Sequence, residues 1–395
     1  MPTKTTISRR TFTKPEKTAE DLCQGLAGQN YTNAIGFVSC SPESRYRDLI
    51  SKLERDLPFP VVGGTTWAFP LAPHDEDLTA SLTVYYQNDL KHAVCLSPIL
   101  DDKNAREQMT CLYRNCLDKL GAEPKVIFAI MPILENMGAD LYLRPLFEAV
   151  GEVPVFGGMV SDDFGSDRAA VLAEGQAWRD RLALIALGGD IEPVMSVRCE
   201  LTGFSDYQPV VTEARGQIVR RVDGRTFADY VRRLNIDPEA WDLMSDWPMS
   251  VQVWGGLSEI DGQPEAADLI RLDPVDGSGT FLRDIPEGAR ICLCGLTKRN
   301  VIDSGRSCLT ELSEKIDRQR ARGREVSFLF VVSCLSRYYA MVGDERSVSA
   351  QVMSKLPENI GCFAYYGCNE ICPTTDPEGR LFNRSHCNSI IACGI

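Results

Sequence analysis

Two adjacent aspartates, Asp162 and Asp163, lie in the segment VFGGMVSDDF, which passes through Gly157-Gly158 after a β-favouring start. Such a carboxylate pair suits a Ca²⁺ or Mg²⁺ site with Asp167 as a further oxygen ligand, a solvated turn capped by an aspartate, or the rim of a pocket that binds a cationic ligand. A phosphate loop is disfavoured because the segment lacks a lysine and its carboxylates would repel phosphate. We pursue the pocket rim as the functional hypothesis.

Cys334 is the candidate nucleophile of the sequence, because it ends a buried-strand run at a point where a reactive side chain could sit. Ser333 precedes it, but no Gly-x-Ser-x-Gly elbow surrounds the two residues. The histidines that could act as a base are His74, His92 and His386. The sequence therefore favours a packed thiol at Cys334. A cysteine-dependent enzyme is the alternative class of function.

The chain contains 15 cysteines, an odd number, and no credible export signal, which indicates reduced thiols rather than a disulfide framework. Several cysteines near the C-terminal end could form a zinc or redox site with His386: Cys362, Cys368, Cys372, Cys387 and Cys393. Their spacing, C-x5-C and C-x3-C, differs from the paired C-x2-C of a strong zinc signature. We therefore predict no metal site.

Composition excludes several classes of function. The net charge of −13 and the pI of about 4.9 predict that the chain binds neither nucleic acid nor anionic lipid. No apolar run is long enough to cross a membrane. Arg9-Arg10 resembles the arginine pair of a twin-arginine export signal, but the polar residues 15–21 follow instead of an apolar segment. We expect a cytoplasmic protein without membrane insertion.

Three segments share the pattern of a buried strand, a helix with one apolar face and a second buried strand. They are residues 34–64, 126–158 and 328–367. The spacing between the strands suits a crossover that joins parallel strands, and the near-continuous apolar runs indicate strands buried on both faces. In the third segment the helix pattern is carried by Val348, Val352, Met353 and Leu356.

Short strands with turn signals between them fill the middle of the chain, in residues 181–187, 194–201, 216–222 and 289–294, and residues 226–234 have the pattern of a short helix. The likeness of VVGGTT (61–66) to VFGGMV (155–160) indicates an internal repeat. We predict an α/β fold in which repeated β-α-β units form mixed sheets in two connected domains, with additional antiparallel strands in the middle of the chain.

The sequence resembles the FIST family, named for F-box and intracellular signal transduction proteins, in seven segments that follow the family's order. They are VVGGTT (61–66), FGGMVSDD (156–163), VTEARGQIVRRVDG (211–224), IPEG (285–288), SCLSR (333–337), YGCNEI (366–371) and FNRS (382–385). The resemblance covers about residues 30–395. It implies a polar N-terminal arm (1–29), a FIST N-like domain (30–225) and a FIST C-like domain (226–395).

Two positions depart from the family pattern. Cys368-Asn369 is inserted between Gly367 and Glu370, which predicts a displaced glutamate. Ala68 replaces a glycine that is usual after the first motif, so the first loop is expected to differ.

The resemblance implies a sensory module that binds small molecules such as amino acids. Family members are often fused to kinases, cyclases or chemoreceptors, so we expect this chain to signal through a separate partner such as a kinase or cyclase. Some members bind haem and sense nitric oxide, which makes a haem-based gas sensor a further alternative. Haem needs an axial ligand, and His74 and His92 are more typical of surface or packing histidines. We expect no cofactor by default.

Ligands of open α/β sheets bind outside the carboxyl ends of strands, and several of the motifs follow strands. We therefore expect one pocket, in which Arg337 holds a carboxylate and Asp162, Asp163 or Glu370 pairs with an ammonium group. Neutral hydrogen bonds would come from Thr65, Ser161 and Asn383. The full set of predicted ligand-binding residues is Thr65, Thr66, Gly157, Gly158, Ser161, Asp162, Asp163, Arg337, Tyr366, Glu370 and Asn383.

Overall fold

The computed structural model describes residues 4–11, 15–24, 26, 31, 33–42, 46–66, 80–134, 138–162, 168–239, 249–256, 264–341, 360–376 and 378–395. Within these ranges the chain forms three main sheets. The predictions at His74, Asp163, Asp167 and the third-segment helix (Val348 to Leu356) lie outside the described residues.

The first sheet is built from N-terminal strands, which occur in the order β1-β4-β2-β3-β8-β9. They are β1 (Lys4–Thr11), β2 (Ala34–Cys40), β3 (Val61–Thr65), β4 (Ala80–Gln87), β8 (Val171–Ala173) and β9 (Gln176–Trp178). Helices α1 (Pro15–Cys23) and α2 (Tyr46–Asp56) accompany them. The four apolar residues that mark the helix pattern before β3 are all buried in α2: Tyr46, Leu49, Ile50 and Leu53.

The second sheet combines strands from both ends of the chain, in the order β11-β25-β20-β21-β7-β6-β10-β5 with β24 paired to β21. They are β5 (Lys91–Leu96), β6 (Val126–Met131), β7 (Val155–Met159), β10 (Ala183–Gly188), β11 (Val194–Arg198), β20 (Phe328–Cys334), β21 (Gly361–Ile371), β24 (Ser385–His386) and β25 (Ile390–Gly394). Its helices are α3 (Ala105–Leu120), α4 (Asp140–Val150), α6 (Lys298–Ala321) and α7 (Leu335–Ala340).

The third sheet comes from the middle of the chain and pairs antiparallel, in the order β12-β19-β16-β17-β18-β14-β13 with β15 paired to β14. Its strands are β12 (Thr202–Gly203), β13 (Val211–Arg215), β14 (Ile218–Val222), β15 (Arg225–Thr226), β16 (Met249–Trp254), β17 (Glu265–Leu272), β18 (Gly279–Phe281) and β19 (Arg290–Gly295). Helix α5 (Phe227–Arg233) belongs to it, and β22 (Thr374–Thr375) and β23 (Leu381–Phe382) form a separate hairpin.

The predicted fold class is confirmed. The strand pairs β2/β3, β6/β7 and β20/β21 are parallel, as the three β-α-β patterns require, and other strands of the same sheets are antiparallel. The middle strands and the short helix α5 also occur where the sequence predicts them. The predicted boundary at residues 225/226 falls within β15, and both the second and the third sheet take strands from each side of it.

The first and second sheets pack face to face through aromatic side chains. The ring of Phe37 in β2 stacks on Phe328 in β20 at a centroid distance of 5.1 Å, and Phe128 in β6 stacks on Phe330 at 4.6 Å. Helices α1 and α2 cover the outer face of the first sheet, and α3, α4 and α6 cover that of the second. The two sheets are therefore the inner layers of a four-layer arrangement, and their strand ends meet in its interior.

The first glycine of each repeated pair has the same structural role in both sheets. A side chain at Gly63 would place its Cβ 1.7 Å from the carbonyl oxygen of Val38, and one at Gly157 would lie 1.9 Å from that of Ala129. Gly63 pairs with Val38 in the parallel strands β2 and β3, and Gly157 pairs with Ala129 in the parallel strands β6 and β7. A Cβ at either glycine would therefore clash with its own pairing partner. These glycines thus allow close approach of neighbouring strands.

Candidate functional site

Three strands end beside the middle of β21. The backbone of Tyr366 donates from its N to Thr66 Oγ1 at 3.0 Å, just after β3, and its carbonyl accepts from Ser161 Oγ at 2.5 Å, just after β7. Cys334, the last residue of β20, pairs with Gly367 in the parallel register. The motifs that the sequence predicts to converge therefore do lie together.

The hydroxyl groups at this junction bond to backbone. Thr66 Oγ1 also donates to Tyr366 O at 3.2 Å, and Thr65 Oγ1 accepts from the N of Ala170 at 3.0 Å. Thr65, Thr66 and Ser161 are buried. The contacts of Thr66 and Ser161 hold β3, β7 and β21 together, and that of Thr65 joins β3 to the residue before β8. Their role in binding a ligand stays a prediction.

Asp162 lies at the end of the same junction, 1% exposed, and its Oδ2 accepts from the N of Arg168 at 3.2 Å. Burial is the main cause of the raised pKa of the Cys368 thiol in β21, and the nearby Asp162 carboxyl group contributes to this rise. The aspartate thus links the end of β7 to Arg168 and places a buried carboxyl group at the junction.

The Cys368-Asn369 insertion is a β-bulge. The register between β21 and β7 shifts between Cys368 and Ile371, which pair with Met159 and Gly157, so β21 carries one extra residue here. Asn369 has a φ of 48°, in the left-handed region that asparagine tolerates better than most side chains. Bulges redirect the side chains next to them. Asn369 and Glu370 both contact residues of the turn before β25.

Glu370 is fully buried with only one of its carboxylate oxygens hydrogen-bonded. Oε2 accepts from the N of Ser389 at 3.2 Å and from its Oγ at 2.8 Å. Oε1 has no hydrogen-bond partner among the described residues, and neither has Nδ2 of the buried Asn369. Burial, together with the negative charge of Asp268, raises the pKa of Glu370 to about 8, although the hydrogen bonds from Ser389 and the neighbouring Cys334 thiol oppose the rise, so the side chain holds a proton at neutral pH.

Asp268 brings a second buried carboxylate to the site from β17 in the third sheet. Its Oδ1 accepts from Ser250 Oγ at 2.8 Å and from the amide of Asn388, and its Oδ2 lies 3.8 Å from Cys334 Sγ. Burial raises its pKa to about 6, although these hydrogen bonds oppose the rise. Asn388 has a φ of 58° and also accepts from Ser336 Oγ at 2.8 Å, so one strained turn residue joins the third sheet to α7.

Sequence reasoning missed Ser250, Asp268 and Asn388. Asp268 carried a usable signal, because it is a charged residue inside the apolar run AADLI, where an unpaired carboxylate would be costly. Ser250 and Asn388 carried no comparable signal.

A comparison with protein-family models agrees with the order of the seven sequence motifs along the chain. The sequence matches the model of the FIST N domain over residues 34–225 and that of the FIST C domain over residues 227–373. The chain belongs to the FIST family. FIST domains are associated with sensing in signal transduction.

No curated protein matches this FIST chain in sequence. Similar solved structures include a cyanuric acid hydrolase from A. caulinodans, with 9% identity, a TM-score of 0.39 and coverage of 100% of this chain and 99% of the other. A chorismatase has 9% identity, a TM-score of 0.38 and coverage of 100% and 98%.

Arg337 of the FIST protein is buried beside the same turn. Its Nη1 donates to Ser304 Oγ at 2.8 Å and to Asn388 O at 3.5 Å, and its Nη2 donates to Val301 O at 2.9 Å. Its Nε has no hydrogen-bond partner among the described residues. Because both terminal nitrogens already bind protein oxygens, a two-point contact between Arg337 and a ligand carboxylate would require these bonds to break. Arg337 ties α7 to the first turns of α6.

Asn383 lies away from the junction. Its Oδ1 accepts from the N of Val155 at 2.7 Å, and its Nδ2 donates to Val153 O at 2.8 Å and Gly151 O at 3.2 Å. These bonds fix the loop between α4 and β7. Gly158 likewise bonds within the protein, because its carbonyl accepts from Tyr365 Oη at 3.0 Å.

The environment of Cys334 opposes a nucleophilic role. The thiol is buried and accepts from Ser336 Oγ at 2.9 Å, and burial followed by the charges of Glu370 and Asp268 raises its pKa well above the usual range. Reactive cysteines instead have lowered pKa values and partial exposure. The cysteine-dependent enzyme has no support from this geometry.

Two histidines of the FIST protein are described. His386 is largely buried with Nε2 2.9 Å from Cys372 O, and burial lowers its pKa to about 3, while His92 in β5 also has a pKa lowered by burial. Among the described residues, no group of three or more His, Cys, Asp or Glu side chains is placed to hold a metal ion. Every helix within the described ranges is too short or too polar to span a membrane.

Proposed function

We propose that this FIST protein is a cytoplasmic sensory protein that binds an amino acid or a similar amino-containing metabolite at the junction around β21. The bound ligand then changes the interaction with a separate output partner such as a kinase or cyclase. The observation that supports the proposal is Glu370 Oε1, a fully buried carboxylate oxygen without a hydrogen-bond partner among the described residues.

The charge at the junction favours a cationic group. Asp162, Asp268 and Glu370 are all buried, and the influences that act on Glu370 include Asp268 but no cation. A buried carboxylate costs free energy unless it is paired or protonated. A ligand ammonium group would supply both the positive charge and the N–H donors that Oε1 lacks.

The neighbouring donors favour a ligand that also carries a carboxylate or carbonyl oxygen. Asn369 Nδ2 and Arg337 Nε are buried N–H groups without a hydrogen-bond partner among the described residues. Both lie near the turn that also holds Glu370, since Asn369 contacts Cys387, Glu370 contacts Ser389 and Arg337 contacts Asn388. Once Glu370 has lost its proton, one unpaired acceptor with two unpaired donors is the complement of an α-amino acid.

The test is calorimetry and thermal shift with paired compounds, such as alanine against lactate and propionate. We expect stabilisation by the amino compound only, because a ligand that binds the folded state raises its apparent stability. Glu370→Gln keeps the side-chain shape and removes the charge, and should weaken binding at least about tenfold, or about 1.4 kcal/mol. Binding should also tighten as the pH rises from 6 toward 8, because the free carboxyl must lose its proton.

Glu123→Gln is the matched control, since Glu123 is exposed and pairs only with Lys125 in the described structure. It should bind like the wild type. The proposal is wrong if no amino compound in a broad panel stabilises the protein, or if Glu370→Gln binds as tightly as Glu123→Gln does.

A further inference from the structure

Two cysteines lie close together at the edge of the second sheet, outside the seven motifs. Cys95 lies in β5, the edge strand, and Cys116 lies in α3, which packs on β5. Cys116 Sγ lies 3.9 Å from the carbonyl oxygen of Leu184, the residue of β10 that pairs directly with Cys95. Cys116 Sγ also lies 3.8 Å from the carbonyl oxygen of Ala93, which shares a face of β5 with Cys95. Both cysteines are free thiols.

The two thiols differ in exposure. Cys95 is half-buried, whereas Cys116 is fully buried. A partly exposed thiol beside a buried one is the arrangement of an attacking and a resolving cysteine.

Charged groups around Cys95 come from several elements. Lys119 of α3 donates from Nζ to Val94 O at 2.8 Å, next to Cys95, and Glu174 from the turn between β8 and β9 also acts on the thiol. The neighbouring Cys116 thiol, with help from the charge of Lys119, lowers the pKa of Cys95, although burial opposes this effect. The neighbouring Cys95 thiol and burial raise the pKa of Cys116.

We propose that Cys95 and Cys116 form a redox-active dithiol that a peroxide converts to a disulfide. The Cys95 thiolate attacks one peroxide oxygen, so an S–O bond forms, the O–O bond breaks and hydroxide leaves. Cys116 sulfur then attacks the sulfenic sulfur of Cys95, an S–S bond forms and the S–O bond breaks. The protons of the two thiols convert the leaving hydroxides to water, so two thiols and one hydrogen peroxide give one disulfide and two water molecules.

Other cysteines of the described structure lack this combination. Cys111 is exposed on the same helix, but its sulfur contacts Asn115 rather than a second thiol. Cys334, Cys368 and Cys387 are fully buried, and burial raises their pKa values. Oxidation at Cys95 would therefore be selective, and the disulfide would join α3 covalently to the edge strand.

The experiment treats the full chain with hydrogen peroxide and maps its cysteines by mass spectrometry. We expect a Cys95–Cys116 crosslinked peptide that dithiothreitol reverses, with Cys95 reacting at least about tenfold faster than Cys111. Cys116→Ser should stop at a sulfenic acid on Cys95, which dimedone traps, and Cys95→Ser should leave Cys116 reduced. Cys111→Ser is the matched control and should form the crosslink at the wild-type rate.

The proposal is overturned if Cys111 or another cysteine oxidises before Cys95, or if wild-type protein with an unchanged circular dichroism spectrum forms no Cys95–Cys116 crosslink. Because Cys116→Ser places a hydroxyl in an apolar site, Cys116→Ala serves as a second variant for the dimedone test. Absence of dimedone adduct at Cys95 in a folded Cys116 variant also overturns it.

Discussion

Ser389 donates two hydrogen bonds to the same oxygen of Glu370, from its N at 3.2 Å and from its Oγ at 2.8 Å. The two donors fix the carboxyl group in place but leave the second oxygen without a hydrogen-bond partner among the described residues. A glutamine could keep both bonds through its amide oxygen. Glu370→Gln should therefore remove the ionisable group at this position with little change in the shape of the site.

The first prediction concerns pH and stability. The pKa of Glu370 is about 8 in the folded protein and about 4.3 in an unfolded chain, so folding takes up a proton between these values. Its contribution to stability is fully present below about pH 4.3 and is lost as the pH rises through 8. The free energy of unfolding should fall by up to about 1.4 kcal/mol per pH unit in that window.

Urea unfolding at pH 5.5, 7 and 8.5 checks this expectation. Glu370→Gln should remove most of the slope between pH 7 and 8.5 and be more stable than the wild type at pH 8.5, whereas Asp268, with a pKa of about 6, should still contribute near pH 5.5. Glu123→Gln should follow the wild type at each pH. A Glu370→Gln curve that runs parallel to the wild type would show that this carboxyl does not titrate between its two pKa values.

The second prediction concerns the buried ion-pair group that connects the first half of the chain with the third sheet. Arg283 Nη2 lies 2.7 Å from Glu265 Oε2, and its Nε lies 3.5 Å from Asp140 Oδ2 at the start of α4. All three side chains are buried. Arg283→Met should cost about 3–5 kcal/mol, because it leaves two carboxylates in the interior without their cation.

Arg232→Ala provides the comparison, since Arg232 forms exposed pairs with Asp229 and Glu239. It should cost less than about 1 kcal/mol. Adding Glu265→Gln to Arg283→Met should restore part of the lost stability in chemical denaturation. Equal losses in Arg283→Met and Arg232→Ala would contradict the view that burial makes the first group essential.

Local patterns were sufficient to predict much of this fold. The apolar runs gave the parallel pairs β2/β3, β6/β7 and β20/β21, and the 3.6-residue periodicity gave the buried face of α2. The rule that ligand loops follow strand carboxyl ends brought Thr66, Ser161 and Tyr366 to one place. The strand pairs and the helix face depend on residues close together in the chain, whereas the meeting of the loops follows from the general topology of α/β sheets.

The composition of the site could not be predicted in the same way. Asp268 reaches Cys334 from a different sheet, and the contacts of Asn388 depend on a left-handed turn before β25. The hydroxyls of Thr65 and Thr66 suggested ligand contacts, but in the folded chain they bond to the backbone of distant segments. The residue type shows that a threonine hydroxyl can donate and accept hydrogen bonds, but only the tertiary structure determines which group is its partner.

The last prediction tests the glycine repeat. Gly63→Ala and Gly157→Ala would place a Cβ 1.7 Å from Val38 O and 1.9 Å from Ala129 O, in both cases a backbone atom of the paired strand. Neither strand can move without disturbing the packed sheets, so each substitution should cost at least about 3 kcal/mol or prevent soluble expression. Gly379→Ala is the control, because Gly379 has a φ of 82° but no atom near its Cβ position, and should cost only about 1–2 kcal/mol. Urea denaturation of the three variants measures the difference. If Gly63→Ala and Gly157→Ala unfold at the same urea concentration as Gly379→Ala, then close strand approach is not the reason for the glycine at either copy of the repeat.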